Sequence, residues 1–277
     1  MATPPPAAEQ PKIKLYWLEQ SRAQRILWLL EELKLPYELE TFKRDAKTHL
    51  APPALQKVHP LGKSPTITIL PPGATDPVVI SESGFIVEYL LEYFGNGSTL
   101  LPKRYMEGQE GKIGGETEEW KRFRYFMHYA EGNLMQVNMM FLLTNSKFLF
   151  PILNGSNNVA TAIKSAPVPW LMKPVTRLIG DKIISDFLQP TFLVHWNFIE
   201  GQLKTSGGDY LCGKYLTGAD ILMSFVLIAA KESKAFTKDK CPMLAAYVDM
   251  LEKEPGYGAS VAKIVKIEGK FEAMLPM

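Results

Sequence analysis

The sequence predicts an α/β N-terminal domain followed by an all-α helical bundle domain. Segments with strand and helix patterns alternate from residue 12 to residue 98, whereas few strand signals appear beyond residue 115. The chain has 277 residues, of which 46% are hydrophobic and 22% are charged. This length and composition suit two globular domains that each bury a core.

The first domain, predicted at 12–98, begins with a strand in which Ile13, Leu15 and Trp17 alternate with Lys14 and Tyr16. Its further segments are a helix at 22–34, a strand at 36–42, a short helical segment at 53–58, strands at 66–70 and 78–80, and a helix over 85–93. The wide apolar face of the helix at 22–34 predicts burial on more than one side. The order β-α-β-α-β-β-α is typical of a thioredoxin-like domain, with a parallel strand pair, a hairpin and helices on both faces.

The second domain is predicted at 116–268. Its helices are predicted at 116–140, 174–203, 218–231 and 243–253, with an irregular excursion at 154–174. A Gly-rich linker at 99–115 joins the domains, and tails are predicted at 1–11 and 269–277. Thr217 and Asp220 have the spacing of a capping box at the start of one helix.

Charge and composition exclude several classes of function. The formal net charge of +2 provides no general attraction to nucleic acid or to an anionic membrane. Cys212 and Cys241 lack metal-ligand spacing and are expected to be ordinary thiols. Residues 1–11 lack the basic start and apolar core of a signal peptide, and the most apolar stretch, 139–153, is interrupted by polar residues. We therefore expect a soluble, cytoplasmic protein that could still touch a membrane surface.

Three loops are candidates for ligand binding. The sequence contains no P-loop, no GxGxxG motif, no GxSxG elbow and no HExxH spacing. The segments 21–24, 62–65 and 81–83 instead lie at predicted strand ends or helix N-termini, on one edge of the first domain. Free N–H groups and the helix dipole favour anions there, so a small acidic peptide suits this edge.

Four segments carry a resemblance to a known family. The runs KLYWLEQSRAQRILWLLEEL, HPLGKSPTI, ISESGFIVEYLLEYF and LTGADILMS occur in this order. Together they resemble the glutathione transferase family over residues 12–257, least clearly at 138–174. The similarity is greatest to fungal Ser-type transferases described as endoplasmic-reticulum-associated. It implies the glutathione transferase fold, a homodimer, glutathione as co-substrate without a further cofactor, and peripheral contact with that membrane.

The resemblance also assigns the residues that bind glutathione. It implies that Ser64 offers its main-chain N–H and C=O to the cysteinyl part of glutathione, before a cis Pro65. A trans proline that ends a loop is the alternative on frequency alone. The resemblance places the γ-glutamyl group at Glu82 and Ser83. The alternative is that Ser83 is a plain helix cap and Glu82 an exposed acid, without a ligand. Two further contacts are implied for the peptide backbone or the glycine carboxylate, from Lys63 and His49. His59 is expected only to pack in its loop.

Ser21 is the predicted catalytic residue. A thiol of pKa ~8.5 is mostly protonated at neutral pH, and the thiolate is the nucleophile. The resemblance implies that the Ser21 hydroxyl donates to the glutathione sulfur, assisted by the following helix N-terminus. Ser21 and Gln24 also have the spacing of a capping box, which would explain Ser21 without catalysis. Tyr16 is an alternative hydroxyl donor.

The predicted function is thiol transfer from glutathione to a hydrophobic electrophile, or reduction of a peroxide. The electrophile site is expected between the domains, where Tyr125, His128 and Tyr129 share one helix face that could equally be core. The alternative is a non-catalytic module that binds apolar ligands or partner proteins.

Overall fold

The computed structural model describes residues 10–46, 48–139 and 189–273, with 178, 182, 185 and 186. The first domain has the predicted order of elements. They are β1 (Lys12–Leu18), α1 (Ala23–Glu32), β2 (Tyr37–Phe42), a 3₁₀ turn (Pro53–Lys57), β3 (Thr66–Leu70), β4 (Val78–Ser81) and α2 (Ser83–Phe94).

The four strands form one mixed sheet in the order β2-β1-β3-β4. Strand β1 pairs in parallel with β2 and antiparallel with β3, so that Leu15 lies between Leu39 and Ile67. Strands β3 and β4 form the antiparallel hairpin. The alternation in β1 buries Ile13, Leu15 and Trp17 on one side. The prediction of a parallel pair plus a hairpin is therefore confirmed.

Helix α1 is the central element of the structure. Every residue from Ala23 to Leu30 is buried, including the whole side chains of Arg25 and Trp28. The helix contacts the sheet on one side and the second domain on the other, where the ring of Trp28 meets that of Tyr257 edge to face at 5.3 Å. The predicted burial on more than one side is confirmed.

In the part of the second domain that the structure describes, the regular elements are helices, and residues 206–217 form a loop with one isolated bridge between Tyr210 and Gly213. Its elements are α3 (Glu118–Tyr129), a π-helical turn (Ala130–Leu134), α4 (Gln189–Thr205), α5 (Gly218–Glu232), α6 (Pro242–Leu251) and α7 (Pro255–Glu268). The predicted excursion at 154–174 and the predicted helix start at 174 lie outside the described residues. Helix α7 was not assigned from the sequence, although Pro255 at its start and Gly269 just beyond its end are typical helix signals.

The predicted capping box of α5 is present at Thr217 and Asp220. The Asp220 carboxylate is fully buried and accepts hydrogen bonds from the Thr217 N–H at 2.8 Å, the Leu211 N–H at 2.9 Å and the Tyr247 hydroxyl at 2.7 Å. These donors compensate the cost of burying the group and hold α5 against the preceding loop and α6. Among the described helices, none has the length and apolarity required to cross a membrane.

Candidate functional site

An open cleft lies along one edge of the first domain, where the three candidate loops meet. Its volume is about 310 Å³, open solvent included. The β1–α1 loop, the loop before β3 and the start of α2 form its walls. The lining residues are Arg22, His59, Leu61, Lys63, Ser64, Pro65, Ser81, Glu82 and Ser83. The structure thus brings together Lys63, Ser64, Pro65, Glu82 and Ser83 from the predicted set.

Ser64 is attached to strand β1 through its side chain. The Ser64 Oγ donates to the main-chain oxygen of Tyr16 at 2.8 Å and accepts from the Leu18 N–H at 3.2 Å. The Ser64–Pro65 peptide bond is cis, as predicted. Within the described ranges, no main-chain partner occupies the N–H or C=O of Ser64. The side chain therefore fixes the loop and leaves the main-chain groups available to a peptide ligand.

Glu82 and Ser83 form the second wall of the cleft. Glu82 is the N-cap residue of α2 and has φ 73° and ψ 120°, a positive φ that non-glycine residues rarely adopt. Its carboxylate is exposed and forms no ion pair with any described residue. Ser83 is only 4% exposed, and its hydroxyl forms no hydrogen bond to the described part of the chain. An anion at the start of α2 could therefore use the Ser83 hydroxyl and the helix N-terminus together.

Ser21 lies behind the cleft and does not line it. It is 7% exposed. Its Oγ donates to the main-chain oxygen of Leu18 at 2.7 Å and accepts from the Ala23 N–H at 3.2 Å. The capping box considered for Ser21 and Gln24 is wrong. The Gln24 side chain instead accepts from the Trp17 indole at 3.3 Å and donates to the Ser260 hydroxyl at 2.9 Å.

The two histidines considered in the sequence have different surroundings. His49 is not among the residues that line the cleft. It has a positive φ of 56°, and its own carbonyl accepts a hydrogen bond from the Arg44 side chain at 3.1 Å. His59 does line the cleft, and its Nδ1 accepts from the Leu61 N–H at 3.4 Å. Sequence reasoning gave His59 only a packing role, although it begins the HPLGKSPTI run that forms this wall.

Arg22 is a lining residue that sequence reasoning did not single out. Its Nη1 donates to Glu131 at 2.7 Å, and Glu131 lies in the π-helical turn of the second domain. The other carboxylate oxygen of Glu131 accepts from Arg25. Burial alone would raise the pKa of the Glu131 carboxyl, but the charges of Arg25 and Arg22 outweigh it and lower that pKa. The acid is therefore ionised between two cations.

The aromatic face predicted on α3 is only partly core. Tyr129 is buried, and its hydroxyl lies 2.5 Å from the Nδ1 of His195 in α4. The ring of Tyr125 stacks on that of Tyr129 at 5.6 Å and remains half-exposed. His128 lies beside Arg124 on the solvent side. The two cysteines, Cys212 and Cys241, are buried free thiols, which agrees with the prediction that they are ordinary thiols.

The fold and the cleft define a two-domain protein with a thioredoxin-like ligand-binding half. The family model for the glutathione S-transferase N-terminal domain matches residues 21–92, and the model for the C-terminal domain matches residues 181–255. Glutathione S-transferase 1 of Saccharomyces cerevisiae is 31% identical over 94% of this chain and 99% of its own length. The chain belongs to the glutathione transferase family.

Solved structures show the same fold at lower sequence identity. A glutathione S-transferase from Actinobacillus pleuropneumoniae is 24% identical with a TM-score of 0.63, over 94% of this chain and 95% of its own. The glutathione transferase URE2P8 from Phanerochaete chrysosporium, solved with oxidized glutathione, is 17% identical with a TM-score of 0.61, over 95% of this chain and 100% of its own. These likenesses confirm the predicted glutathione transferase fold.

Proposed function

We propose that this protein is an enzyme that binds glutathione in the cleft and presents its thiolate to hydrophobic electrophiles. One observation carries the proposal. Ser64 is fixed to β1 by its side chain, so that its unpaired main-chain groups stand in the same cleft as the unpaired Ser83 hydroxyl. A peptide with a free α-carboxylate matches this arrangement. Its main chain can pair with the main-chain groups of Ser64, and its carboxylate can be bound by the Ser83 hydroxyl.

In this proposal the tripeptide is bound along the cleft by its main chain and its charges. The cysteinyl unit pairs with Ser64. The γ-glutamyl carboxylate accepts from Ser83, while its ammonium faces the exposed carboxylate of Glu82. Lys63, an exposed cation on the cleft wall, binds the glycine carboxylate. His49 lies outside the lining, so a role at the glycine end requires a change in its loop.

Ser21 is the proposed hydrogen-bond donor to the glutathione sulfur. To reach the sulfur, the Ser21 hydroxyl must rotate away from the Leu18 carbonyl and give up its hydrogen bond to that carbonyl. A charge-assisted hydrogen bond to a thiolate contributes about 1.5–3 kcal/mol, against about 0.5–1.5 kcal/mol for a neutral one. The exchange is therefore favourable when the sulfur is ionised. The same chemistry serves a peroxide, where two glutathione thiols become a disulfide while the peroxide becomes an alcohol and water.

A homodimer is part of the proposal. Helix α2 carries a row of aromatic side chains, Phe85, Tyr89 and Tyr93, whose rings contact each other at 6.0 and 4.6 Å. Phe85 is 53% exposed and Tyr93 is 64% exposed. Exposed contiguous apolar surface of this kind is typical of a protein interface. The proposed cytoplasmic location, with peripheral contact to the endoplasmic reticulum membrane, rests on the resemblance to fungal transferases, and cell fractionation tests it.

A second candidate function is a non-catalytic module of the same fold that binds apolar ligands or partner proteins. The engagement of the Ser21 hydroxyl by the main chain favours it, because Ser21 is not among the residues that line the described cleft. Two assays separate the candidates: retention on glutathione-agarose, and conjugation of glutathione to a generic aromatic electrophile. Retention with turnover supports the enzyme, and retention without turnover supports the module. Failure to bind glutathione would overturn the enzyme.

A further inference from the structure

We propose that Arg22 contacts the sulfur of bound glutathione and stabilises its thiolate, and that Glu131 is a positioning residue which fixes Arg22 from the second domain. This inference rests on the proposed function. It deepens that function by assigning a cation to the reacting atom. It also gives the second domain a part in the chemistry of a cleft whose lining residues all belong to the first.

Arg22 is held close to the proposed cysteinyl position by main-chain contacts. Leu18 joins the β1–α1 loop to the loop before β3 through both of its main-chain groups. Its N–H donates to the Ser64 Oγ at 3.2 Å, and its C=O accepts from the Ser21 Oγ at 2.7 Å. Arg22 follows Ser21 directly and lines the cleft. The start of α1 is therefore held against Ser64, whose main chain is proposed to bind the cysteinyl unit.

Four ionisable side chains line the cleft, and Arg22 is one of them. The other ionisable lining residues are Lys63, His59 and Glu82. Behind Arg22 lie Glu131, from the π-helical turn, and Arg25, from α1. Glu82 and Lys63 are assigned to the two ends of the tripeptide. Arg22 is the remaining permanent cation, and Leu18 links its loop to Ser64.

The guanidinium of Arg22 is fixed by an ion pair to the second domain. Glu131 accepts from Arg22 at 2.7 Å with one oxygen and from the fully buried Arg25 with the other. Arg25 is in turn held by the carbonyl of Leu222 in α5 at 2.6 Å. The π-helical turn Ala130–Leu134 brings Glu131 to this position, and such turns often occur at functional sites. One nitrogen of Arg22 is anchored, which leaves its other donors for a ligand.

The chemistry needs no further reactant. The S–H bond of glutathione breaks, the proton passes to bulk water, and the electron pair stays on sulfur beside the guanidinium. A fixed positive charge favours the ionised form and lowers the thiol pKa. Loss of one charge-assisted hydrogen bond corresponds to a rise of about 1 to 2 units in the pKa of the bound thiol.

The test measures thiolate absorbance of glutathione bound to the full-length protein as a function of pH. We expect Arg22→Gln to raise the pKa of the bound thiol by about 1 to 2 units and Arg22→Lys to restore part of the shift. The matched control is Arg124→Gln, because Arg124 also forms an ion pair across the domains, with Glu88, at similar side-chain exposure but outside the cleft lining. An unchanged pKa in Arg22→Gln would overturn the proposal.

Affinity for S-methylglutathione separates the sulfur from the carboxylates. This ligand has no ionisable thiol. If Arg22 contacts the thiolate, Arg22→Gln changes its dissociation constant by less than about 3-fold. A loss of tenfold or more would show that Arg22 binds a carboxylate and would overturn the assignment.

The effect of Glu131→Gln on the pKa of the bound thiol distinguishes two roles of Glu131, a negative charge near the sulfur and a partner that positions Arg22. Removal of a negative charge alone would lower the pKa of the bound thiol, whereas release of a positioned Arg22 raises it. We expect a rise, and a fall would contradict the positioning role. Since Glu131→Gln leaves the buried Arg25 without a charged partner, Arg22→Gln provides the test if that variant does not fold. If the wild-type protein binds no glutathione, or binds it with an unshifted thiol pKa, the proposed function itself fails.

Discussion

Gln24 at the start of α1 donates a hydrogen bond of 2.9 Å to the hydroxyl of Ser260 in α7, across the boundary between the two domains. Both side chains are buried, and Gln24 also accepts from the indole of Trp17 in β1. One amide thus links the sheet, the first helix and the last helix. A buried amide hydrogen that loses its partner costs about 1–3 kcal/mol.

We therefore predict that Ser260→Ala lowers the free energy of unfolding by about 1–3 kcal/mol. Chemical denaturation measures the change. Ser224→Ala is the control, because Ser224 is equally buried but donates only to the carbonyl of its own helix, at 2.8 Å to Ile221. Equal losses in the two variants would contradict a specific contribution from the Gln24 contact.

For Ser21 we predict that Ser21→Ala lowers the turnover number and moves the appearance of activity to higher pH. The variant also loses the bonds to Leu18 and Ala23, so a decrease in stability of about 1 kcal/mol is expected as well. The conjugation rate as a function of pH is the measurement. If Ser21→Ala loses stability but keeps the pH profile of the wild type, the hydroxyl acts only on the main chain.

Two substitutions of Glu82 should weaken glutathione binding alike but differ in the stability of the folded protein. Glu82→Ala and Glu82→Gly both remove the carboxylate and should both weaken glutathione binding, which calorimetry measures. Only glycine adopts φ 73° without strain, so Glu82→Gly should be more stable than Glu82→Ala by about 1 kcal/mol. An unchanged dissociation constant in both variants would refute the ligand assignment, and equal stability would refute the strain.

Glu131 predicts a pH dependence of stability. Its folded pKa lies below the ordinary value of 4.5. Its contribution is therefore complete above pH 4.5 and is lost as pH falls through the lowered value. We expect the difference in Tm between the wild type and Glu131→Gln to be largest near neutral pH and to shrink below about pH 4.5. Thermal melts of both proteins from pH 7 to pH 3 check this, and a constant difference would count against it.

The aromatic row of α2 predicts the oligomeric state. Phe85→Asp introduces a charge into the exposed surface formed by Phe85, Tyr89 and Tyr93. If this surface joins two copies, the variant becomes monomeric, because an unpaired charge cannot be buried at low cost. Light scattering coupled to gel filtration gives the mass. Ile267→Asp, on the exposed side of α7, is the control.

The cis Ser64–Pro65 bond could be predicted because the resemblance to the family implied it. The local elements could be predicted because they depend on periodicity and on short runs of residues. The capping box at Thr217 and Asp220 was correct for the same reason. At Ser21 the identical reasoning was wrong. The partner of Gln24 there is Ser260, 236 residues away, and no local pattern indicates such a contact. The link from Arg22 to Glu131 has the same origin, since it joins residues 109 apart in the chain.

The burial of α1 limits how this protein can be recombined with its relatives. Domain exchange presumes that each half keeps a closed surface of its own. Here the helix that opens the ligand cleft needs a serine from α7, a carbonyl from α5 and a glutamate from the π-helical turn. A chimera that takes residues 1–98 from this chain and a second domain without that serine and that glutamate would leave a buried amide without its partner and a buried guanidinium without its counter-charge. Working hybrids require the serine and the glutamate to be transplanted with the first domain, whereas the main-chain carbonyl is supplied by any residue of α5 at that position.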